Sequence, residues 1–181
     1  MRVEQGVVLQ MLIVEEARAT DRSTVVDITL AAYSEYEKDS APGFWERYCD
    51  NIRQSILKVS STRILVAKEE DVIKGSVLLC PPNAGAFKNE LPEMRLLAIP
   101  TEFRNLGIAN LLIEECERRT ASSGALTLHT TDLMKTAKAM YERRGYTRFP
   151  EIDFEPVAGF FVWGYKKMLS APCPSIQEAN K

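Results

Sequence analysis

Apolar positions along the chain switch repeatedly between a period near two and a period near 3.6, the signatures of half-buried strands and amphipathic helices. Leu12 to Glu16 reads as a first strand. Thr20 to Tyr36 and Trp45 to Leu57 read as helices, separated by the breaker Ser40-Ala41-Pro42-Gly43. Arg63 to Lys68 and Val72 to Cys80 read as strands joined by the acidic turn Glu69-Glu70-Asp71, and Pro81-Pro82 ends the second because proline cannot continue a ladder. Glu93 to Ile99 is mostly apolar, as a central strand is. The next helix carries Ile108, Leu111, Leu112 and Cys116 on one face and leaves Glu114, Glu117 and Arg118 for water. Ala125 to Thr130 is strand-like. Lys135 to Arg144 is helical, with Ala137, Met140 and Tyr141 on one stripe and Gly145 in the place of a C-terminal cap. Tyr146 to Phe149 and Phe160 to Lys167 supply two last strands. The pattern predicts one mixed α/β domain over residues 12–169, with residues 1–11 a leader or strand extension and residues 170–181 a loose, proline-punctuated tail.

Composition narrows the class. Among 181 residues, 45% hydrophobic and 27% charged are ordinary values for a globular chain, which excludes disorder or a disulfide scaffold for the whole. Lys+Arg 23 against Asp+Glu 25 leaves a net charge of -2, which argues against nucleic acid or an anionic membrane as partner. An anionic ligand would then need a local positive site. Cys49, Cys80, Cys116 and Cys173 are scattered, and the single histidine, His129, completes no Cys/His metal cluster, so no metal is expected. The run from Gly6 to Val14 invites a signal peptide, but Gln10 interrupts it, Glu15-Glu16 follows, and it is too short to span a bilayer. The expected location is cytoplasmic.

The most informative stretch is Leu96-Leu97-Ala98-Ile99-Pro100-Thr101-Glu102-Phe103-Arg104-Asn105-Leu106-Gly107-Ile108-Ala109. A buried strand runs through a short turn into a helix starting near Gly107. Helix N-termini leave several amides unpaired and carry partial positive charge, which together suit a phosphate. Gly107 and Ala109 keep the backbone approachable, and Arg104 adds a fixed cation. No lysine follows Gly107 as a P-loop requires, and the G-x-G-x-x-G of a dinucleotide fold is absent. On residues alone, an anion site and an ordinary strand–turn–helix joint in which Gly107 relieves crowding both stand.

Arg104-Asn105-Leu106-Gly107-Ile108-Ala109 resembles the (Q/R)-x-x-G-x-(G/A) signature of the GCN5-related N-acetyltransferases, the GNAT family, and Glu93 to Ile99 resembles the strand before it. Ala137 to Tyr146 is similar to the family's A-x-x-x-Y-x-x-x-G-(F/Y) segment. The resemblance covers about residues 12–168. It implies an α/β fold whose mixed, mostly antiparallel central sheet has splayed fourth and fifth strands and about four flanking helices. It implies acetyl-CoA as co-substrate, with backbone groups of Leu97, Ala98 and Ile99 along the pantetheine arm. The amides of Asn105, Leu106, Gly107, Ile108 and Ala109, with Arg104, would hold the pyrophosphate. Tyr141 resembles the tyrosine that protonates the leaving thiolate, a role suited to a phenol neutral at pH 7. Its other reading is a core aromatic.

An amine arrives as ammonium and must lose a proton. Glu93, at the start of the strand leading to the thioester, is the candidate base, directly or through water, and could also touch the amine; its other reading is a strand-end carboxylate in solvent. His129 is the alternative base. Cys116 faces the core, against an acyl-cysteine intermediate. Two positions depart from the family pattern. Pro100 comes one residue early, and Met134 stands where an asparagine often contacts the cofactor. The acceptor is expected near Tyr33 to Trp45, with Tyr33 and Tyr36 as candidate contacts, and near Phe149 to Phe161. Aromatics among carboxylates favour a cationic amine. The implied activity is direct acetyl transfer to a primary amine of a small molecule or a peptide or protein N-terminus. The alternative is a non-catalytic acyl-CoA-binding or sensing module. A homodimer is left open.

Overall fold

Strand signals and turn residues alternate as the pattern requires, and the computed structural model, which describes residues 11–40, 42–58, 61–86 and 88–170, shows the elements they produce. Residues 1–10 of the leader and 171–181 of the tail lie outside the described residues. In chain order the elements are β1 (Ile13–Glu16), α1 (Arg22–Tyr33), α2 (Phe44–Leu57), β2 (Arg63–Glu69), β3 (Val72–Cys80), β4 (Glu93–Ala98), α3 (Ile108–Thr120), β5 (Ala125–Thr130), α4 (Lys135–Arg143), β6 (Thr147–Arg148), β7 (Phe154–Val157) and β8 (Phe160–Met168), with short 3-10 turns between them. The sheet runs β1-β2-β3-β4-β5-β8-β6, and β7 pairs with β8 off this path. It is mixed and mostly antiparallel. β1 pairs β2 from Ile13↔Lys68 to Glu16↔Leu65, and β5 pairs β8 from Ala125↔Met168 to Thr130↔Trp163. The parallel pairing of β4 with β5 runs through Glu93↔Thr127 and Met94↔Leu128.

The chain gathers into two compact units, one of residues up to Leu78 with Leu96–Leu112, the other of Leu79–Arg95 with the residues from Ile113 onward. In the first, Val25 and Val26 of α1, Ile52 and Ile56 of α2, Ile64 and Val66 of β2, Ile73 and Leu78 of β3 and Leu96 of β4 form one apolar cluster. Gly75 on β3 has a specific task there. A Cβ at that position would run into the side chains of Ile99, Ile108 and Leu112, so the bare backbone lets the start of α3 lie close on the strand.

In the second unit Ile113, Cys116, Leu126, Leu128, Tyr146 and Tyr165 are buried. Helix α4 ends in a Schellman motif: the Tyr146 N–H donates to Tyr141 O at 3.1 Å, the Gly145 N–H to Glu142 O at 3.0 Å, and Gly145 has φ 87. The accompanying side-chain contact is an edge-to-face pair of Tyr141 and Tyr146, ring centroids 5.9 Å apart.

The structure departs from the expected elements in three places. The first helix stops at Tyr33 and continues as a 3-10 turn over Ser34–Asp39. The segment between Phe149 and Phe161, read as a connection, contains β7, a short strand made inconspicuous by Pro156 and closed against β8 through Phe154↔Val162 and Val157↔Phe160. The strand read over Tyr146 to Phe149 shrinks to the two residues of β6.

Candidate active site

The candidate residues Tyr33, Tyr36, Leu97, Ala98, Ile99 and Arg104 to Ala109 all belong to the first unit, and Glu93, His129 and Tyr141 to the second. Within β4, Leu96 is buried yet has φ 49, a conformation a bulky side chain adopts only at a bulge or strained turn. The strand is thus irregular immediately before Leu97 and Ala98. Past a 3-10 turn at Thr101–Phe103, Asn105 (φ 64) and Gly107 (φ 80) both lie in the left-handed region and bend the chain sharply into α3. The first helical bond runs from the Leu111 N–H to Gly107 O at 3.2 Å, so the amides of Ile108 and Ala109 have no carbonyl partner within the helix. A Cβ on Gly107 would meet nothing within 4 Å. Crowding therefore does not explain this glycine; its φ does, and the ground beside it is open. Free helical amides, the positive end of α3 and open space fit the phosphate groups of an acyl-CoA.

Arg104 is heavily engaged. Its Nη2 and Nη1 donate to Glu35 Oε1 and Oε2 at 3.0 and 3.2 Å, its Nε to Ile99 O at 3.3 Å, and Nη2 also to Ala32 O at 3.5 Å. Glu35 sits in the 3-10 turn after α1, beside Tyr36. Tyr33 and Tyr36 meet edge to face at 6.1 Å, and Tyr33 and Phe44 each approach Tyr48 at 6.0 Å, making an aromatic cluster. Burial first, then the charge and hydrogen bond of Glu35, push the Tyr36 phenol up to about 12. The sequence pointed to this segment but not to Glu35 as the partner of Arg104, because no spacing rule connects residues so far apart.

Glu93 is not a solvent carboxylate: it is 1% exposed. Oε1 meets His129 Nδ1 at 2.9 Å, Oε2 accepts from the Ala86 N–H at 2.7 Å, and Arg95 Nε stands 3.8 Å from Oε1. The other ring nitrogen of His129 is 2.9 Å from Ile152 O, and Phe154 lies edge-on to the ring at 5.2 Å. The two residues considered as alternative bases thus form one pair. Tyr141 is buried, at the helix end described above. In the second acceptor segment Asp153 is committed to Arg148 at 2.7 Å and to the Gly164 N–H at 2.7 Å, which hold its carboxyl below the usual carboxylate range. Cys116 is fully buried and its thiol is pushed up to about 12 by that burial, so it is no nucleophile. Among the described residues no group of three His, Cys, Asp or Glu side chains could hold a metal ion, and no helix is long and apolar enough to cross a membrane.

The acetyltransferase (GNAT) family model matches residues 29–146, about two thirds of the chain and both motifs. The chain belongs to the GNAT acetyltransferase family. As a member it is an N-acetyltransferase by class, and the family's acetyl transfer depends on acetyl-CoA. Solved GNAT structures share the fold. One from Corynebacterium glutamicum, named histone acetyltransferase HPA2 and related acetyltransferase, is 19% identical with a TM-score of 0.67, the match covering 91% of this chain and 99% of that one. A GNAT acetyltransferase from Staphylococcus aureus Mu50 is 16% identical with a TM-score of 0.64, covering 88% and 100%. The PaiA N-acetyltransferase of Thermoplasma acidophilum, solved in complex with coenzyme A, is 14% identical with a TM-score of 0.63, covering 87% and 99%. No curated protein matches this GNAT chain in sequence.

Proposed function

We propose that this protein transfers the acetyl group of acetyl-CoA directly to a primary amine, on a small molecule or a peptide or protein N-terminus, in the cytoplasm, without a nucleic-acid or membrane partner. The observation that carries the reading is the open, left-handed turn at Asn105 to Gly107, which presents the first amides of α3 to an anion. The amides of Asn105 to Ala109 hold the pyrophosphate, and the backbone of Leu97, Ala98 and Ile99 lines the pantetheine arm. Acetyl-CoA supplies the thioester whose C–S bond breaks as the C–N bond forms. Tyr141 donates its phenol proton to the departing sulfur, and the second proton, which the nitrogen loses once the C–N bond has formed, restores the phenol through solvent. The proton lost by the ammonium passes through water to the Glu93–His129 pair. Tyr33 and Tyr36 offer aromatic faces to a cationic acceptor.

A thermal-shift measurement with saturating acetyl-CoA, followed by thiol release over a panel of amines, tests this. The melting temperature is expected to rise, and at least one amine to lift coenzyme A release above the hydrolytic background. A second reading, an acyl-CoA sensor without turnover, has one observation in its favour: both oxygens of Glu93 already have partners. Stabilisation by acetyl-CoA with no amine raising thiol release would decide for the sensor.

A further inference from the structure

Of the five N–H bonds on the Arg104 guanidinium, four have acceptors within the protein: two on the Glu35 carboxylate in a forked pair, one on Ile99 O and one on Ala32 O. Its charge is met by Glu35, and two of its other donors serve backbone. Ala32 O belongs to the last turn of α1, where carbonyls lack helical partners, and α1 has no basic residue of its own there. A cation bound in this way is poorly placed to serve as a free counter-charge for pyrophosphate. It instead ties three things together: the end of α1, the Ser34–Asp39 turn bearing Tyr36, and the chain leaving β4 at Ile99. Resting on the acetyl-CoA reading above, we propose that Arg104 and Glu35 are positioning residues: together they strap the acceptor-side turn Ser34–Asp39 to the loop that binds the cofactor, while backbone amides alone hold the pyrophosphate.

The strap exists in the free protein, so hydrogen exchange of the amides of residues 34–39 reads it without any ligand. Glu35→Gln removes the charge and keeps the shape; Arg104→Lys keeps the charge and cannot make the fork; Arg104→Gln removes both. All three are expected to speed exchange in 34–39 by about tenfold. Coenzyme A affinity by calorimetry should stay within about threefold of wild type, because the phosphate contacts lie elsewhere. For the best amine of the panel, KM for the amine should rise several-fold in each variant while KM for acetyl-CoA holds. The double variant Glu35→Gln with Arg104→Gln should be no worse than either single one, since each already breaks the same strap. The proposal fails if Arg104→Gln weakens coenzyme A tenfold or more while Arg104→Lys and Glu35→Gln do not, the pattern of a direct phosphate ligand. It fails equally if exchange in 34–39 is unchanged. Absence of coenzyme A binding to wild type would sink the acetyl-CoA reading and leave the exchange result on the strap standing.

Discussion

Glu93 Oε1 lies 2.9 Å from His129 Nδ1 while Nε2 of the same ring lies 2.9 Å from Ile152 O. A carbonyl only accepts, so Nε2 carries hydrogen. An ionised carboxylate also only accepts, so the other contact requires a proton, on Nδ1 or on Glu93. The Glu93–His129 contact is therefore made through a proton that the two groups share. Glu93→Gln, whose amide can donate to Nδ1 and keep the contact, is expected to lower kcat by about 10²-fold. A variant with the wild-type kcat would show that the ammonium proton leaves by another route.

Tyr141→Phe keeps the ring that packs against Tyr146 at the end of α4 and removes only the hydroxyl. The expected result is a melting temperature within about two degrees of wild type and a kcat about 10²-fold lower, the usual size of a lost general acid. Equal rates for the two proteins in a thiol-release assay would return this tyrosine to a purely packing role.

Gly107 and Gly145 offer a matched comparison, since both have strongly positive φ and neither would press an added Cβ against a neighbour. Alanine at either position should cost about 1 kcal/mol, a few degrees of melting temperature, by the same backbone strain. Only Gly107→Ala puts a methyl group at the pyrophosphate site proposed above, so only that variant should weaken coenzyme A in calorimetry, by about tenfold or more. Equal affinities in the two variants would remove the anion from this turn.

Glu115 on α3 has its carboxyl lowered to about 2 by hydrogen bonds from Arg118 and, after the opposing effect of burial, Arg119. A folded-state value below the unfolded one means that the contribution to stability is complete above about pH 5 and is lost as the pH falls toward 2. Asp21, paired with Lys68, and Asp153, paired with Arg148, act in the same direction. Melting temperature should therefore fall steeply on acidification below about pH 5, and Glu115→Gln should flatten that fall without abolishing it. A variant curve parallel to wild type would mean that this cluster is as well formed in the unfolded chain.

Local signals carried most of the element boundaries. β3 and β5 match their sequence reading to the residue because proline pairs and turn residues bracket them. What the pattern missed was decided by distant partners or by backbone conformations that composition does not reveal. α1 stops at Tyr33 although Ser34 to Asp39 contains no breaker, and there the guanidinium of Arg104 meets the carbonyl of Ala32. The left-handed turn at Leu96 is silent in a run of apolar residues. The spacing of the second motif has a legible cause: a tyrosine, a glycine four residues later and an aromatic after it are what a Schellman cap with its side-chain contact requires. Glu93 and His129 were each visible as titratable groups, but their pairing needed the parallel register of β4 and β5, which only the structure supplies.

Gly75 takes no part in either motif, yet the space it leaves empty is filled by Ile99, which precedes the turn into α3, and by Ile108, which lies inside the first motif at the far end of that turn. One methyl group added on β3 would push on both ends of that turn at once. The turn is thus calibrated from outside itself, and a chain carrying every signature residue with alanine at 75 should bind coenzyme A more weakly than its motif would suggest.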